Sequence, residues 1–387
     1  MITAFQLANI IYTGPGALEK VAETIKAQGL KKPLVVTDKG IVKAGLAQKL
    51  TEVLSDENID YAIYDETVAN PNEKNVEDAL ALYQKDGCDC LIGLGGGSSM
   101  DTAKACGILA TSGGTIDQYR GMGLLKAPIP FYIAIPTTAG TGSESTSASI
   151  ITNTREDHHR KMVILDGRLL PNVAVIDPLL MTGLPPAITA STGMDAMTHA
   201  IEALISFYST EYTDVLALGA IKLIFKYLRR AVGNGNDLVA REKMAYAQTM
   251  AGMAFTNAGL GLVHSMAHPL SAFYNIPHGY ANAVCLPAVL DYNKIVCRGK
   301  MRAIAEAAGL TDLGAYPEDT GCEVVQRLND DVGIPRTITE VGALIGVSVD
   351  VKDIEAMSKD ALNELSTMTT PRTPQLNEVI ELYKKCW

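Results

Sequence analysis

What this chain lacks narrows its function before any motif is read. No Lys/Arg-rich run occurs in its 387 residues, the formal charge is -10 and the pI is near 5.2. Nucleic acid and anionic membrane need a basic patch to neutralise phosphate, so neither is an expected partner. The seven cysteines are an odd set without metal-type pairing. Most sit among apolar residues, as reduced core thiols do, which points to a reducing cytoplasm. The opening MITAFQLANIIYTGPG has no basic region, apolar stretch and small-residue cleavage site in succession, so no export is expected. Asp, Glu, Lys and Arg are all absent from Met244 to Leu290. That stretch is still not a membrane span, because Gln248, Asn257, Gly259, Gly261, three histidines, Pro269 and Pro277 interrupt it before about 20 apolar residues accumulate. A buried helical core carrying polar ligands is expected there.

What is present suggests two domains, since a chain this long exceeds what one core readily fills. Strands are expected at 33–38, 59–65, 88–94, 130–136 and 173–177, alternating with amphipathic helices such as ALEKVAETIKAQG and VEDALALYQKDG. The alternation predicts βαβ units around a mostly parallel sheet. Beyond DPLLMTGLPP the spacing turns helical almost to the end, with Pro185 and Pro186 suited to a connection and helix entry. The expected division is an α/β dinucleotide-binding domain at 1–183 and an all-α metal-binding domain at 184–387.

The segment CDCLIGLGGGSSMDTAKACGIL reads as strand, glycine turn, helix. Gly95, Gly96 and Gly97 let a ligand approach the backbone, Ser98 or Ser99 is placed to cap the helix, and the helix N-terminus attracts phosphate. The competing reading is an ordinary tight turn. The usual Rossmann fingerprint is not met, because after Gly93 and Gly95 its third glycine place holds Ser98. Asp38, at the carboxyl end of an earlier strand, suits either an adenine ribose, favouring NAD over NADP, or a helix N-cap. In PTTAGTGSES, Thr137, Thr138, Thr141 and Ser143 are available to bond phosphate or ribose.

Six histidines occur in all, and His264, His268 and His278 fall within fifteen residues. A fourth, His199, follows Asp195 by four, which puts both on one helix face. His264 and His268 repeat that spacing in the uncharged region, where an imidazole stays neutral and able to bind metal. Nitrogen and oxygen donors without thiolate suit Fe(II), Zn(II), Mn(II) or Co(II). His158 and His159, among charges in a hairpin turn, are poor ligand candidates.

In order and spacing, GGGSSMDTAK, IPTTAGTGSE, STGMDAMTHAIEA and GLVHSMAHPLSAFYNIPHG resemble the iron-dependent (group III) alcohol dehydrogenases over essentially the whole chain. The nearest type is lactaldehyde reductase or 1,2-propanediol oxidoreductase. The resemblance implies a dehydroquinate synthase-like architecture, Fe(II) with Zn(II) as an alternative, and NAD(H). It implies Asp195, His199, His264 and His278 as metal ligands, with His268 as a catalytic histidine outside the ligand set. It further implies Asp38 at the adenine ribose and Gly96, Gly97 and Ser98 at the pyrophosphate. Thr137, Thr138, Thr141, Thr146 and Lys161 would lie along the cofactor. A small alcohol or aldehyde substrate and a homodimer or larger homo-oligomer are expected. SSMD, TTPR (369–372) and Ser366 depart from the residues usual in the family, at the turn and the pocket rim.

Two other enzymes share this architecture. A zinc glycerol dehydrogenase is distinguished by its metal content. A dehydroquinate synthase-like lyase handles a phosphorylated acid and needs basic residues around its metal, whereas Met244–Leu290 has none.

Overall fold

The computed structural model describes residues 4–155, 160–313 and 316–387; His158 and His159 lie outside the described residues. Among the described residues nine strands occur in chain order: β1 (Ile10–Thr13), β2 (Pro33–Val36), β3 (Ala62–Tyr64), β4 (Cys90–Gly95), β5 (Gly121–Met122), β6 (Phe131–Pro136), β7 (Ala148–Asn153), β8 (Arg160–Leu165) and β9 (Val173–Ile176). Six make one sheet in the order β1-β9-β6-β4-β2-β3, with every neighbouring pair parallel. Five of its strands lie where the Val/Ile/Leu runs predicted them. The sixth, β1, was not expected; it is a half-exposed edge strand without the continuous apolar signal of a doubly covered one.

Helices α1 (Lys20–Ala27), α2 (Lys39–Lys43), α3 (Leu46–Asp56), α4 (Glu73–Lys85) and α5 (Gly97–Ser112) connect the parallel strands. Alternation along each strand sorts its side chains onto two faces. Val35, Ile92, Ile133 and Val175 pack with Ile25 of α1 and Leu50 of α3. Leu34, Leu91 and Tyr132 pack oppositely, with Ala79 of α4 and Met100 of α5. A smaller sheet, β5-β8-β7, carries the β7–β8 antiparallel hairpin.

Chain order runs outward from β2 to β3 and then, from β4, the other way through β6 and β9. The sheet's direction therefore reverses between β2 and β4, and the carboxyl ends of two such strands are where open α/β sheets take ligands.

Two compact units divide at Gly183/Leu184. The second begins with α6 (Pro186–Ile205), which carries Pro186 at its first position, and continues with α7 (Glu211–Gly233), α8 (Leu238–Ala258), α9 (Leu262–Tyr274) and α10 (His278–Asn293). Further helices follow to Cys386, and no strand occurs among the described residues of this unit. Among the described residues no helix is long and apolar enough to cross a membrane.

Candidate metal centre and dinucleotide turn

Three helices of the second unit bring four ligand-type side chains to one point. Asp195 and His199 come from consecutive turns of α6, His264 from the first turn of α9, and His278 from the first residue of α10. Their donor atoms all lie within 4.8 Å of one another. Asp195 Oδ1 is 3.9 Å from His199 Nε2 and 3.7 Å from His278 Nε2. Gly279 makes the approach of α10 possible, because a Cβ there would meet the Ser191 carbonyl oxygen of α6 at 2.4 Å. His199 stacks between Phe255 (4.5 Å between ring centroids) and His264 (4.6 Å).

A second layer of side chains fixes these rings. Glu202, one turn beyond His199, is 1% exposed and lies 2.5 Å from His264 Nδ1. The same carboxylate accepts the Val263 and His264 backbone N–H groups, so it caps α9 where the helix has no cap of its own. Gly261 leaves room for it, since a Cβ there would stand 2.8 Å from Glu202 Oε1. Burial pushes the Glu202 carboxyl up to about 8, opposed by those N–H donors. Burial, and then the neighbouring histidines, hold His264 well below its ordinary range, so the ring is neutral. With Nδ1–H turned to Glu202, its Nε2 lone pair faces the cluster, as a metal ligand requires. His268 stands beside the group: its ring stacks on His278 at 5.5 Å and its Nδ1 lies 3.2 Å from Glu364 Oε2.

The glycine turn lies at the carboxyl ends of β2, β4 and β6 in the first unit. Helix α5 starts at Gly97 with Gly96 as N-cap, and no side chain caps it. The expectation that Ser98 or Ser99 caps the helix is therefore corrected: both lie inside its first turn, and Ser99 Oγ donates instead to Asp38 Oδ2 at 3.4 Å. An uncapped first turn keeps its amides and dipole for an anion. Gly95 has φ 146°, and a Cβ there would be 2.7 Å from Ser99 Oγ and 3.5 Å from Asp38 Oδ2. A Cβ on Gly96 would stand 3.7 Å from Thr138 Oγ1, and one on Gly97 3.0 Å from Thr141 Cγ2. Asp38 is an N-cap, with Oδ1 accepting Ile41 N–H, while its other oxygen faces the turn.

Hydroxyls of Thr37, Thr67, Thr137, Thr138 and Thr152 are buried and have no hydrogen-bond partner. Buried polar atoms are normally paired, so orphans beyond the ends of β2, β3 and β6 fit a polar ligand lying across them. Thr146 differs, because its hydroxyl accepts from Lys104 Nζ at 3.2 Å. Lys104 is fully buried and also donates to the Ser143, Thr146 and Ala148 carbonyls, which pins the 143–148 loop to α5. Lys161 Nζ bonds Asn70 Oδ1 at 2.5 Å on the loop before α4.

Comparison with known proteins settles the kind of chain this is. Residues 8–178 match the family described as iron-containing alcohol dehydrogenase, and residues 189–387 match the C-terminal region of the Fe-containing alcohol dehydrogenase family. The chain belongs to the iron-containing alcohol dehydrogenase family. Lactaldehyde reductase of Escherichia coli (strain K12) is 42% identical over 98% of both chains. The NAD-dependent methanol dehydrogenase of Bacillus methanolicus is 38% identical over 99% of both. A crystal structure of 1,3-propanediol oxidoreductase superposes with a TM-score of 0.96 at 41% identity, covering 100% of each chain. The expected fold class and alcohol dehydrogenase chemistry stand, and the lyase reading is not favoured. In this iron-containing alcohol dehydrogenase, one carboxylate and three imidazole nitrogens in a buried pocket suit a divalent ion. The uncapped helix and orphaned threonines likewise suit a dinucleotide.

Glu202, Glu364, Asn282 and Lys104 were not found by sequence reasoning. Glu202 was the most findable: it is the only charged residue of α6 besides Asp195, three places after His199. Glu364 gave no signal, since it meets His268 across 96 residues of chain.

Proposed function

We propose that this alcohol dehydrogenase interconverts a small primary alcohol or diol, of the lactaldehyde/1,2-propanediol kind, and its aldehyde. It works with NAD(H) and an iron ion held by Asp195, His199, His264 and His278. The observation that carries this reading is the convergence of those four donor atoms within 4.8 Å. When bound, the ion supplies Lewis-acid polarisation of the substrate oxygen and the nicotinamide supplies or takes the hydride.

The chain's own residues do the rest. Glu202 keeps His264 in one tautomer with its lone pair toward the cluster. Phe255, flat against His199, gives the pocket an apolar wall suited to a small uncharged substrate. His268 has its Nδ1 held by Glu364, which leaves Nε2 to pass the proton that reduction of an aldehyde consumes. The unit Phe5–Gly183 holds the cofactor: the α5 N-terminus with Gly96, Gly97 and Ser98 takes the pyrophosphate and Asp38 the adenine ribose. Thr137, Thr138, Thr141, Thr146 and Lys161 line the remainder. A cytoplasmic location is supported by seven free cysteines, five of them buried. A homodimer or larger homo-oligomer is supported by the exposed Phe207, Tyr212 and Val215, and sedimentation at a single mass of one chain would refute it.

The test is NADH oxidation by metal-stripped enzyme refilled anaerobically with Fe(II) or Zn(II), against lactaldehyde, propanal and dihydroxyacetone. Recovery with Fe(II) and an aldehyde supports the reading. Recovery with Zn(II) alone favours a glycerol dehydrogenase-like enzyme, and no turnover with either metal defeats it. In the same assay His268→Ala is expected to lower kcat at least about tenfold and flatten one limb of the pH profile. An unchanged profile removes His268 from proton transfer.

A further inference from the structure

Asn282 lies on α10 one turn after His278 and is completely buried. Its amide nitrogen is 2.7 Å from Asp195 Oδ1, 3.0 Å from His264 Nε2 and 3.1 Å from His278 Nε2. These atoms belong to three of the four residues whose donor atoms converge in the cluster. Its amide oxygen is buried and has no hydrogen-bond partner.

His264 Nε2 and His278 Nε2 each have one lone pair to give, which the amide N–H and a divalent ion would use in turn, whereas the Asp195 carboxylate has several. An N–H donor and a cation cannot both occupy an imidazole's single lone pair. Two hydrogens are shared among three acceptors, so the nitrogen sits at their common focus rather than on any one of them. Nothing holds the oxygen where it is. Turning the carboxamide about its last torsion exchanges two groups of nearly equal size and breaks no bond made by the oxygen. The turned group would face the cluster with a neutral oxygen, a donor suited to a divalent metal.

We infer that Asn282 is a fifth member of the metal centre: its amide nitrogen competes with the divalent ion for the lone pairs of His264 and His278. It thereby sets how readily the centre loads and empties. This rests on the proposed ligand set. Asn282 holds the three side chains together when no ion is bound, and it withdraws its donors when one binds. A residue that merely steadied Asp195 would act in the opposite sense, because removing it would weaken metal binding.

The sign therefore decides. Full-length parent, Asn282→Leu and Asn282→Asp are stripped with a chelator and titrated with Co(II) against a competing chelator, reading Kd and the visible d–d bands. Asn282→Leu is expected to tighten Co(II) about tenfold, the worth of a hydrogen bond to an imidazole nitrogen removed from the metal-free form. Its metal-free Tm should fall more than its Co(II)-loaded Tm. Asn282→Asp, which keeps the shape, should tighten Co(II) further and shift the bands, because it offers the ion another carboxylate oxygen. Weaker binding by Asn282→Leu overturns the inference. So do variants within twofold of the parent with unshifted bands, and if the leucine variant fails to fold Asn282→Ala is read by the same sign. A parent that binds no Co(II) sinks the ligand set itself.

Discussion

The two candidate sites are built on opposite plans. At the metal centre the side chains are already engaged: Glu202 holds His264, Glu364 holds His268, and Asn282 reaches Asp195. At the glycine turn the backbone makes the site, and side chains beyond the ends of β2, β3 and β6 are left unsatisfied, with the buried hydroxyls of Thr37, Thr67, Thr137 and Thr138 lacking partners. A cation needs lone pairs aimed before it arrives, and aiming takes a second layer of residues. A dinucleotide brings its own donors and acceptors, so an uncapped helix and idle hydroxyls suffice.

If the plans are separate, each should break alone. The largest effect is expected from Glu202→Gln, which leaves one neutral amide to serve both the start of α9 and His264. Affinity for iron should fall about 10–100-fold, read as iron retained against a graded chelator series. The Kd for NADH should stay within twofold, and a parallel loss of NADH binding would join the two sites.

Next in size, Gly97→Val puts a side chain against Thr141, where a Cβ already stands 3.0 Å from Cγ2. The NADH Kd, followed by nucleotide fluorescence, should rise about tenfold, equivalent to roughly 1.4 kcal/mol. Iron content should not change. Normal NADH binding in this variant would remove the turn from the cofactor site.

The smallest effect concerns Lys104, the buried charge that pins the loop beside the turn. Burial lowers its pKa from 10.5 to about 8, against the pull of Asp101 and Glu144. The folded chain therefore gives up this proton before the unfolded chain does. Between pH 8 and 10.5 the unfolded chain binds more protons, so stability relative to Lys104→Met should rise with pH, on the order of 1 kcal/mol. Below pH 8 the difference should be flat. Urea midpoints of both proteins at pH 7.5 and 10 check this, and a gap that shrinks on going to pH 10 is the contrary result.

The same contrast explains what could be read from sequence. Histidine is rare here, and the spacings from Asp195 to His199 and from His264 to His268 write a helix face directly into the chain, so the residues that the structure gathers were visible as residues. Their supports were not read, and were findable only where they share a helix with them: Glu202 follows His199 by three and Asn282 follows His278 by four. Glu364 was not, because its contact comes from distant chain. The glycine turn was visible as a turn, but its cap was misread, since serine preference at a helix start yields to the backbone approach that Gly96 permits. The four interior strands announced themselves by apolar runs, and the edge strand β3 by its β-branched and aromatic residues. The edge strand β1 and the short β5 carried no such run, and of the β7–β8 hairpin only the turn was read.

The geometry of the ligands also bears on chain entropy. Asp195 and His278 are about 80 residues apart along the chain, so an ion held by both, as proposed, would act as a cross-link in an otherwise unbranched polymer. Closing a loop of that length removes unfolded-chain freedom worth on the order of 4 kcal/mol, as a disulfide of the same span would. In a chain whose seven thiols are free, such a tie would be made by coordination in place of a covalent bond. It would be made and unmade without oxidation.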